Sequence, residues 1–301
     1  MNTRLIRIGH SPDPDDAFMF YALAKERLQT GRFRFQHILE AIDTLNGWAI
    51  EGKLEVTALS VHAYTYVADR YILLPHGASI GRNYGPIVVA KRRFDPADLR
   101  GKRIAIPGKF TTAFLVLRLY LDEFQAVEVP FDQVFDAIDS DKADAALVIH
   151  EGQLTFETHG LTKLVDLGGW WHDRTGLPLP LGANAIRKDL GEPCCLEVSG
   201  YLRASIDYGL AHRQEALQYA MQFGRGLDAR LADRFVGMYV NEDTRAWNEE
   251  CRRGLEHLLN LAWEQGVIAR RIHPEFLAGL DVTTPPLVVF QSIRSTRTNF
   301  R

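Results

Sequence analysis

Apolar and polar positions alternate in two ways along this chain, and the change of rhythm divides it. Up to about residue 190, short apolar runs of strand type recur at 5–8, 33–38, 56–59, 71–74, 87–90, 103–106, 126–129, 145–149 and 163–166. Segments with helical spacing lie between them, at 17–28, 43–51, 61–68, 111–123, 131–140 and 170–175. Strands alternating with helices predict an α/β protein with mostly parallel sheets. Past residue 190 the strand rhythm stops, and 195–210, 213–225, 229–240 and 245–265 all read as helices. The Thr-, Pro- and Arg-rich stretch 283–301 predicts a tail that is frayed or ordered by docking.

Two stretches interrupt the alternation and read as passages between domains. The first is Gly-rich, 76–86, and the second is the Leu-Pro run 177–184. They enclose a block long enough to be its own α/β unit. The predicted division is a discontinuous domain, 1–86 plus 187–301, with a smaller inserted domain, 87–186. Two crossings leave a cleft between the domains, and such clefts bind small ligands and close by hinge motion. This is the architecture of type-2 periplasmic binding proteins.

The start of the chain carries the first candidate chemistry. A strand ending at Gly9 runs into the turn His10-Ser11-Pro12-Asp13-Pro14-Asp15-Asp16, and an amphipathic helix is predicted to follow from Ala17. Strand, tight turn and helix N-terminus leave backbone N–H groups pointing outward, a ligand-binding geometry that two prolines stiffen. Gly108-Lys109-Phe110-Thr111-Thr112 repeats that arrangement after another strand. There Thr111 or Thr112 caps a helix, the free N–H groups face an anion, and Lys109 supplies charge. Ser60 ends a strand and opens a helix, so its hydroxyl either caps that helix or reaches the cleft. His150 follows the buried run Ala145-Ala146-Leu147-Val148-Ile149. A histidine at the carboxyl end of such a strand lies where α/β ligands sit and can act as a base near neutral pH. Glu151 either orients it or faces solvent. His10 is a second candidate, while most of the other histidines read as surface residues. Asp13, Asp15 and Asp16 resemble the start of a calcium loop, but Pro14 and the missing later ligands spoil it. Trp170 and Trp171 offer ring faces, either to stack on a flat ligand or to seal the cleft.

Composition narrows the partners. The 301 residues are 46% hydrophobic and 24% charged with a formal net charge of −3, which gives no basic face for nucleic acid. No apolar run approaches membrane-spanning length, and the start of the chain has no leader-like apolar region, so a cytoplasmic protein is expected. Cys194, Cys195 and Cys251 have no metal-ligand spacing and are expected to be reduced structural thiols. There is no zinc-type histidine pair and no dinucleotide fingerprint.

Five stretches resemble the menaquinone-biosynthesis family of the futalosine pathway. They are GHSPDPDDAFMFYAL from Gly9, DTLNGWAIEG from Asp43, IAIPGKFTTAF from Ile104, LVIHE from Leu147 and VDLGGWWHDRTGLPLPLGANAIR from Val165. The resemblance implies a periplasmic-binding-protein-like fold turned into a cytoplasmic enzyme that uses no cofactor and no metal. It implies a lyase acting on a substrate of cyclic dehypoxanthine futalosine type, giving a dihydroxynaphthoate. The family's proposed base falls on His150, and its pocket residues fall on Ser11, Ser60, Thr111 and Thr112. The expected partner is a small-molecule carboxylate, with neither nucleic acid nor membrane; a homodimer is left open. Competing readings are a related cofactor-free enzyme of chorismate dehydratase type and a protein that only binds a small carboxylate.

The chain departs from the family's usual first motif, Ser-Pro-Cys-Pro-Asn-Asp-Thr-Phe. Asp13, Asp15 and Ala17 stand where that pattern has Cys, Asn and Thr, and Phe110 replaces a histidine. Two added carboxylates beside an anion site are unfavourable unless they point away or pair with cations such as Arg82 or Lys109.

Overall fold

The computed structural model describes residues 3–225 and 227–279, so the tail expected at 283–301 lies outside the described residues. The strands are β1 (Arg4–His10), β2 (Phe33–Leu39), β3 (Val56–Ser60), β4 (Tyr71–Leu73), β5 (Ser79–Gly81), β6 (Ile87–Ala90), β7 (Arg103–Ile106), β8 (Gln125–Glu128), β9 (Ala145–Val148), β10 (Thr162–Asp166) and β11 (Leu179–Arg187). Helices α1 (Pro14–Ala24), α2 (Ile42–Glu51), α3 (Val61–Val67), α4 (Thr112–Tyr120), α5 (Val134–Asp139), α6 (Gly152–Thr155) and α7 (Leu167–Thr175) lie among them. The C-terminal part is helical, with α8 (Glu192–Ala211), α9 (Arg213–Ala220), α10 (Ala229–Tyr239), α11 (Glu242–Arg245) and α12 (Glu249–Glu264).

The strands form two sheets. One has the order β2-β1-β3-β11-β4, with β5 paired to β11, and the other has the order β10-β6-β9-β7-β8. Both are mixed, where mostly parallel sheets were expected. In the first, β1 runs parallel to β2 and β3, but β11 runs antiparallel to β3, β4 and β5. In the second, β7 is parallel to β8 and β9, and β6 is antiparallel to β9 and β10. The reason is in the connectivity. β6 and β11 are the strands by which the chain enters one sheet and returns to the other, so neither is reached through a crossover helix that would set it parallel.

The two passages are not bare linkers. The first carries β5, and the second is the start of β11, which pairs with β3 along Gly182–Ile186. Residues 179–186 therefore belong to the sheet of the N-terminal strands, and the boundary expected at 186 falls inside a strand. Pro180 suggested a linker because proline removes a ladder donor; here a register irregularity between Pro180 and Gly182 absorbs it.

Helix α1 starts at Pro14, three residues before the expected Ala17, because Asp13 is extended and its side chain accepts from the Asp16 backbone N–H. Pro14 at the first helical position has no N–H to lose. The helix is buried from Pro14 through Leu23 and packs against α8, α9 and α10. It is covered on all sides rather than amphipathic. Its partners hold it by polar contacts as well: Ser205 donates to the Met19 carbonyl at 2.8 Å, and Tyr21 donates to Glu215 at 2.9 Å. The three cysteines are buried and unpaired. Among the described residues no helix is long and apolar enough to cross a membrane.

Candidate active site

The carboxyl ends of β1, β3 and β9 converge on one cleft between the sheets, with about 710 Å³ of empty space including its open mouth. Ser11, Ser60, Thr111, Thr112 and His150 all line it, so five of the six predicted site residues meet there. Lys109 does not. It is exposed, and its ammonium pairs with Glu128 at 3.2 Å outside the cleft. Arg82 is likewise engaged elsewhere, by Asp243 and Glu250. Among the described residues no lysine or arginine lines the cavity.

His150 stands in the left-handed region at φ +54°, a conformation uncommon outside glycine and frequent at functional sites. Its Nδ1 lies 3.0 Å from Asp13 Oδ2, and Phe131 presents a ring edge at 5.2 Å between centroids. Burial pulls its pKa below the usual histidine value, so the neutral imidazole prevails near pH 7. Glu151 neither orients His150 nor stands free in solvent; it accepts from Arg225 at 2.7 Å. Arg225 also donates to the Pro12 carbonyl at 2.9 Å and covers the Phe131 ring, tying the His150 loop to the turn before α1.

The three aspartates are all buried. Asp16 accepts from the Ser11 N–H at 2.6 Å. Burial, with Asp15 beside it, pushes Asp16 up to about 8, and burial with Asp16 nearby does the same to Asp13. Asp15 is raised well above the carboxylate range by burial and by Asp13, to which it hydrogen-bonds, and its Oδ1 has no partner. Asp13, Asp15 and His150 each bring one ligand atom within 4.8 Å of the others. That spacing is within reach of a cation. Yet 3.0 Å between Asp13 and His150 is a hydrogen-bond distance, and a carboxyl proton joins Asp15 to Asp13. The group is built to share protons. The added carboxylates are therefore accommodated by His150 and by protonation, not by Arg82 or Lys109.

Opposite lie the hydrogen-bond donors. Asn46 on α2 clamps Ser60 from both sides, donating to its Oγ at 3.1 Å and accepting from its N–H at 2.9 Å. The Ser60 hydroxyl proton is thereby left for the cleft, and the side chain does not cap α3. Thr111 does cap α4, accepting from the Phe114 N–H at 3.2 Å while donating to the Gly108 carbonyl at 2.8 Å. Thr112 donates to the Leu181 carbonyl. Both hydroxyl protons are thus committed, and what α4 offers the cleft is its unpaired first-turn N–H groups, at Thr112 and Ala113. Gly108, at φ +125°, makes this approach workable: a Cβ there would come within 2.9 Å of Asp43 Cβ on α2.

The remaining candidates are structural. His10 is buried, stacked on Phe20 and bonded to His37 at 3.1 Å, with burial holding it near 3. His62 and His76 are buried as well, not on the surface. Trp171 is in the core with its N–H on the Pro178 carbonyl, and Trp170 packs against Tyr120, so neither ring lines the cleft. Sequence reasoning missed Asn46, Asn184 and the Tyr239–Gln153 pair. Asn184 lines the cavity from within β11 with its Oδ1 buried and unpartnered, and Tyr239 donates to Gln153 at 2.9 Å. An asparagine inside an otherwise apolar strand was the available signal for Asn184.

Comparison with known proteins places the chain in a family. The family described as Menaquinone biosynthesis matches residues 6–264. The chain is similar to the 1,4-dihydroxy-6-naphthoate synthase of Thermus thermophilus, 40% identical over 272 residues that cover 90% of this chain and 99% of that protein. It is 35% identical to the synthase of the same name from Streptomyces coelicolor, over 92% of this chain and 99% of that protein. A solved structure from Archaeoglobus fulgidus superposes with a TM-score of 0.84 at 45% identity, covering 88% of this chain and 98% of that one. The alkanesulfonate-binding protein of Xanthomonas axonopodis superposes at 0.67 with 15% identity, covering 90% of this chain and 96% of that chain. At that identity the likeness concerns the fold alone, and the fold is that of periplasmic binding proteins, as the sequence predicted.

Proposed function

Because the chain belongs to the menaquinone-biosynthesis family and is an enzyme similar to 1,4-dihydroxy-6-naphthoate synthases, we propose that it cleaves cyclic dehypoxanthine futalosine to 1,4-dihydroxy-6-naphthoate with His150 as the base. The observation that carries this reading is the position of a neutral, partly enclosed imidazole across the cleft from an array of neutral donors. The substrate carboxylate lies at the N-terminus of α4, on the Thr112 and Ala113 N–H groups and the Ser60 hydroxyl. A helix N-terminus holds an anion without a counter-cation. Asn184 meets a hydroxyl of the sugar-derived portion. His150 removes a proton, the bond to the sugar-derived carbons breaks, and the second ring becomes aromatic. Aromatisation supplies much of the driving force, so a base and an orienting pocket suffice. The enzyme works in the cytoplasm without an added cofactor.

The test is incubation of the purified protein with cyclic dehypoxanthine futalosine and mass detection of the naphthoate. Turnover is expected in the wild type, and His150→Asn is expected to lower it by about 10²-fold or more, the usual worth of a general base, while substrate still raises the melting temperature. Wild-type turnover by His150→Asn removes the base assignment. Binding without turnover by the native protein makes it a carboxylate-binding protein.

A further inference from the structure

We infer that Asp13 is the positioning residue of the base: its carboxylate holds the Nδ1–H of His150, so that Nε2 is the basic nitrogen left to face the substrate. This inference rests on the reading of His150 as the base. The geometry is a 3.0 Å contact between Asp13 Oδ2 and His150 Nδ1, with no protein partner for Nε2 among the described residues. Neutral imidazole has one N–H, and the hydrogen bond at one nitrogen decides which nitrogen is free. Asp13 is itself tied down. Its Oδ1 caps α1 through the Asp16 N–H at 3.4 Å, and the Asp15 carboxyl hydrogen-bonds it from the other side. Once Asp13 is ionised, above about pH 8, the three groups form a chain in which Asp15 keeps its proton against Asp13, and Asp13 stands within reach of the His150 Nδ1–H.

The contact also joins the two halves of the cleft. Asp13 follows β1 of the first sheet, and His150 follows β9 of the second. The other groups facing His150 do not compete for Nδ1. Asp15 and Asp43 act on it through space, Glu151 is held by Arg225, Phe131 offers a ring edge, and Tyr239 is turned to Gln153. Cys, the residue of the family's usual motif at this position, offers no carboxylate for that contact.

The experiment compares Asp13→Asn with the wild type. Asn is as good a helix cap as Asp, so the fold is retained, and Asp13→Cys, which restores the usual residue, serves as a second variant. The first readout is the ¹⁵N shifts of the His150 ring in the free protein, which need no substrate. Above about pH 8, where Asp13 is ionised, they are expected to show an Nδ1–H tautomer in the wild type, with a mixed population in both variants. The second readout is the pH dependence of kcat. The wild type is expected to gain rate up to about pH 8, as Asp13 ionises, and both variants to lose that inflection. Asp13→Asn should cost kcat on the order of tenfold or more, as loss of a group that orients a catalytic imidazole does, with KM within about twofold. An unchanged tautomer and an unchanged pH profile in Asp13→Asn would overturn the inference. Absence of turnover by the wild type would instead remove the assigned reaction and leave the tautomer result to decide the role of Asp13.

Discussion

Lys109 and Ser60 show how differently two polar residues near one helix can contribute. Lys109 looked like the charge for an anionic substrate, yet Gly108 turns the chain so that Lys109 faces Glu128 and solvent. An exposed pair of this kind is worth about 0–1 kcal/mol. Ser60 has no charge, but Asn46 holds it with its hydroxyl proton toward the cleft. A hydrogen bond to a charged group is worth about 1.5–3 kcal/mol. Steady-state kinetics should therefore separate them: Ser60→Ala raises KM by roughly 10- to 100-fold, and Lys109→Ala leaves it within about twofold. A large effect at Lys109 would place the carboxylate outside the cavity described above. The sequence identified the right loop because strand, glycine and threonine cap are local signals. It could not tell which way Lys109 points, since that depends on Glu128 from a neighbouring strand. The same limit applies to Asp13, whose added carboxylate reads as a burden in the sequence and stands 3.0 Å from His150 Nδ1 in the structure.

At the scale of elements, what could be read was what periodicity and capping determine. Thr111 or Thr112 was expected to cap a helix, and Thr111 does, through its bond from the Phe114 N–H. Loss of such a cap costs about 1 kcal/mol. Thr111→Ala is expected to lower the denaturation midpoint accordingly, and to weaken substrate binding by loosening the first turn of α4. Thr111→Ser, which retains the hydroxyl, should restore both; a Ser variant as poor as Ala would point to packing of the methyl group. Elements that depend on distant neighbours were harder to read. β11 looked like a linker because proline and glycine punctuate it, and only its pairing with β3, β4 and β5 makes it a strand. The helix expected from Ala17 seemed amphipathic, but α1 begins at Pro14, and the C-terminal helices α8, α9 and α10 bury it from Pro14 through Leu23. The expectation of two α/β sheets with a helical C-terminal part rested on the alternation of strands and helices, which is a local pattern. The extent of the inserted block depended on β11, whose partners lie roughly a hundred residues or more earlier.

Across the whole molecule, burial of ionisable groups sets the dependence of stability on pH. Burial holds His10 and His76 down near 3, and His37 and His62 near 4. A histidine whose pKa is depressed on folding binds fewer protons folded than unfolded. Its stabilising share is complete above its unfolded value, about 6.5, and is lost as pH falls toward the folded value. The cleft carboxyls work in the other direction. Asp13 and Asp16 rise from 3.8 to about 8 on folding, and burial with Asp13 beside it also raises Asp15 well above its ordinary value. Their share is complete below about 4 and is lost as pH climbs through the folded value. Between about pH 4 and 6.5 the two sets oppose each other and largely cancel. Above 6.5 the histidines are neutral in both states, and only the carboxyls still change. The melting temperature is therefore expected to fall from about pH 6.5 to 8.5, each carboxyl contributing at most about 1.4 kcal/mol per pH unit. Asp15→Asn removes one titrating group and relieves its neighbours, so the decline should be shallower in that variant. Calorimetry over this range decides the matter: a wild-type melting temperature that is flat or rising above pH 6.5 would mean that the cleft carboxyls are already ionised. A substrate carboxylate would then face the repulsion that protonation at Asp15 otherwise removes.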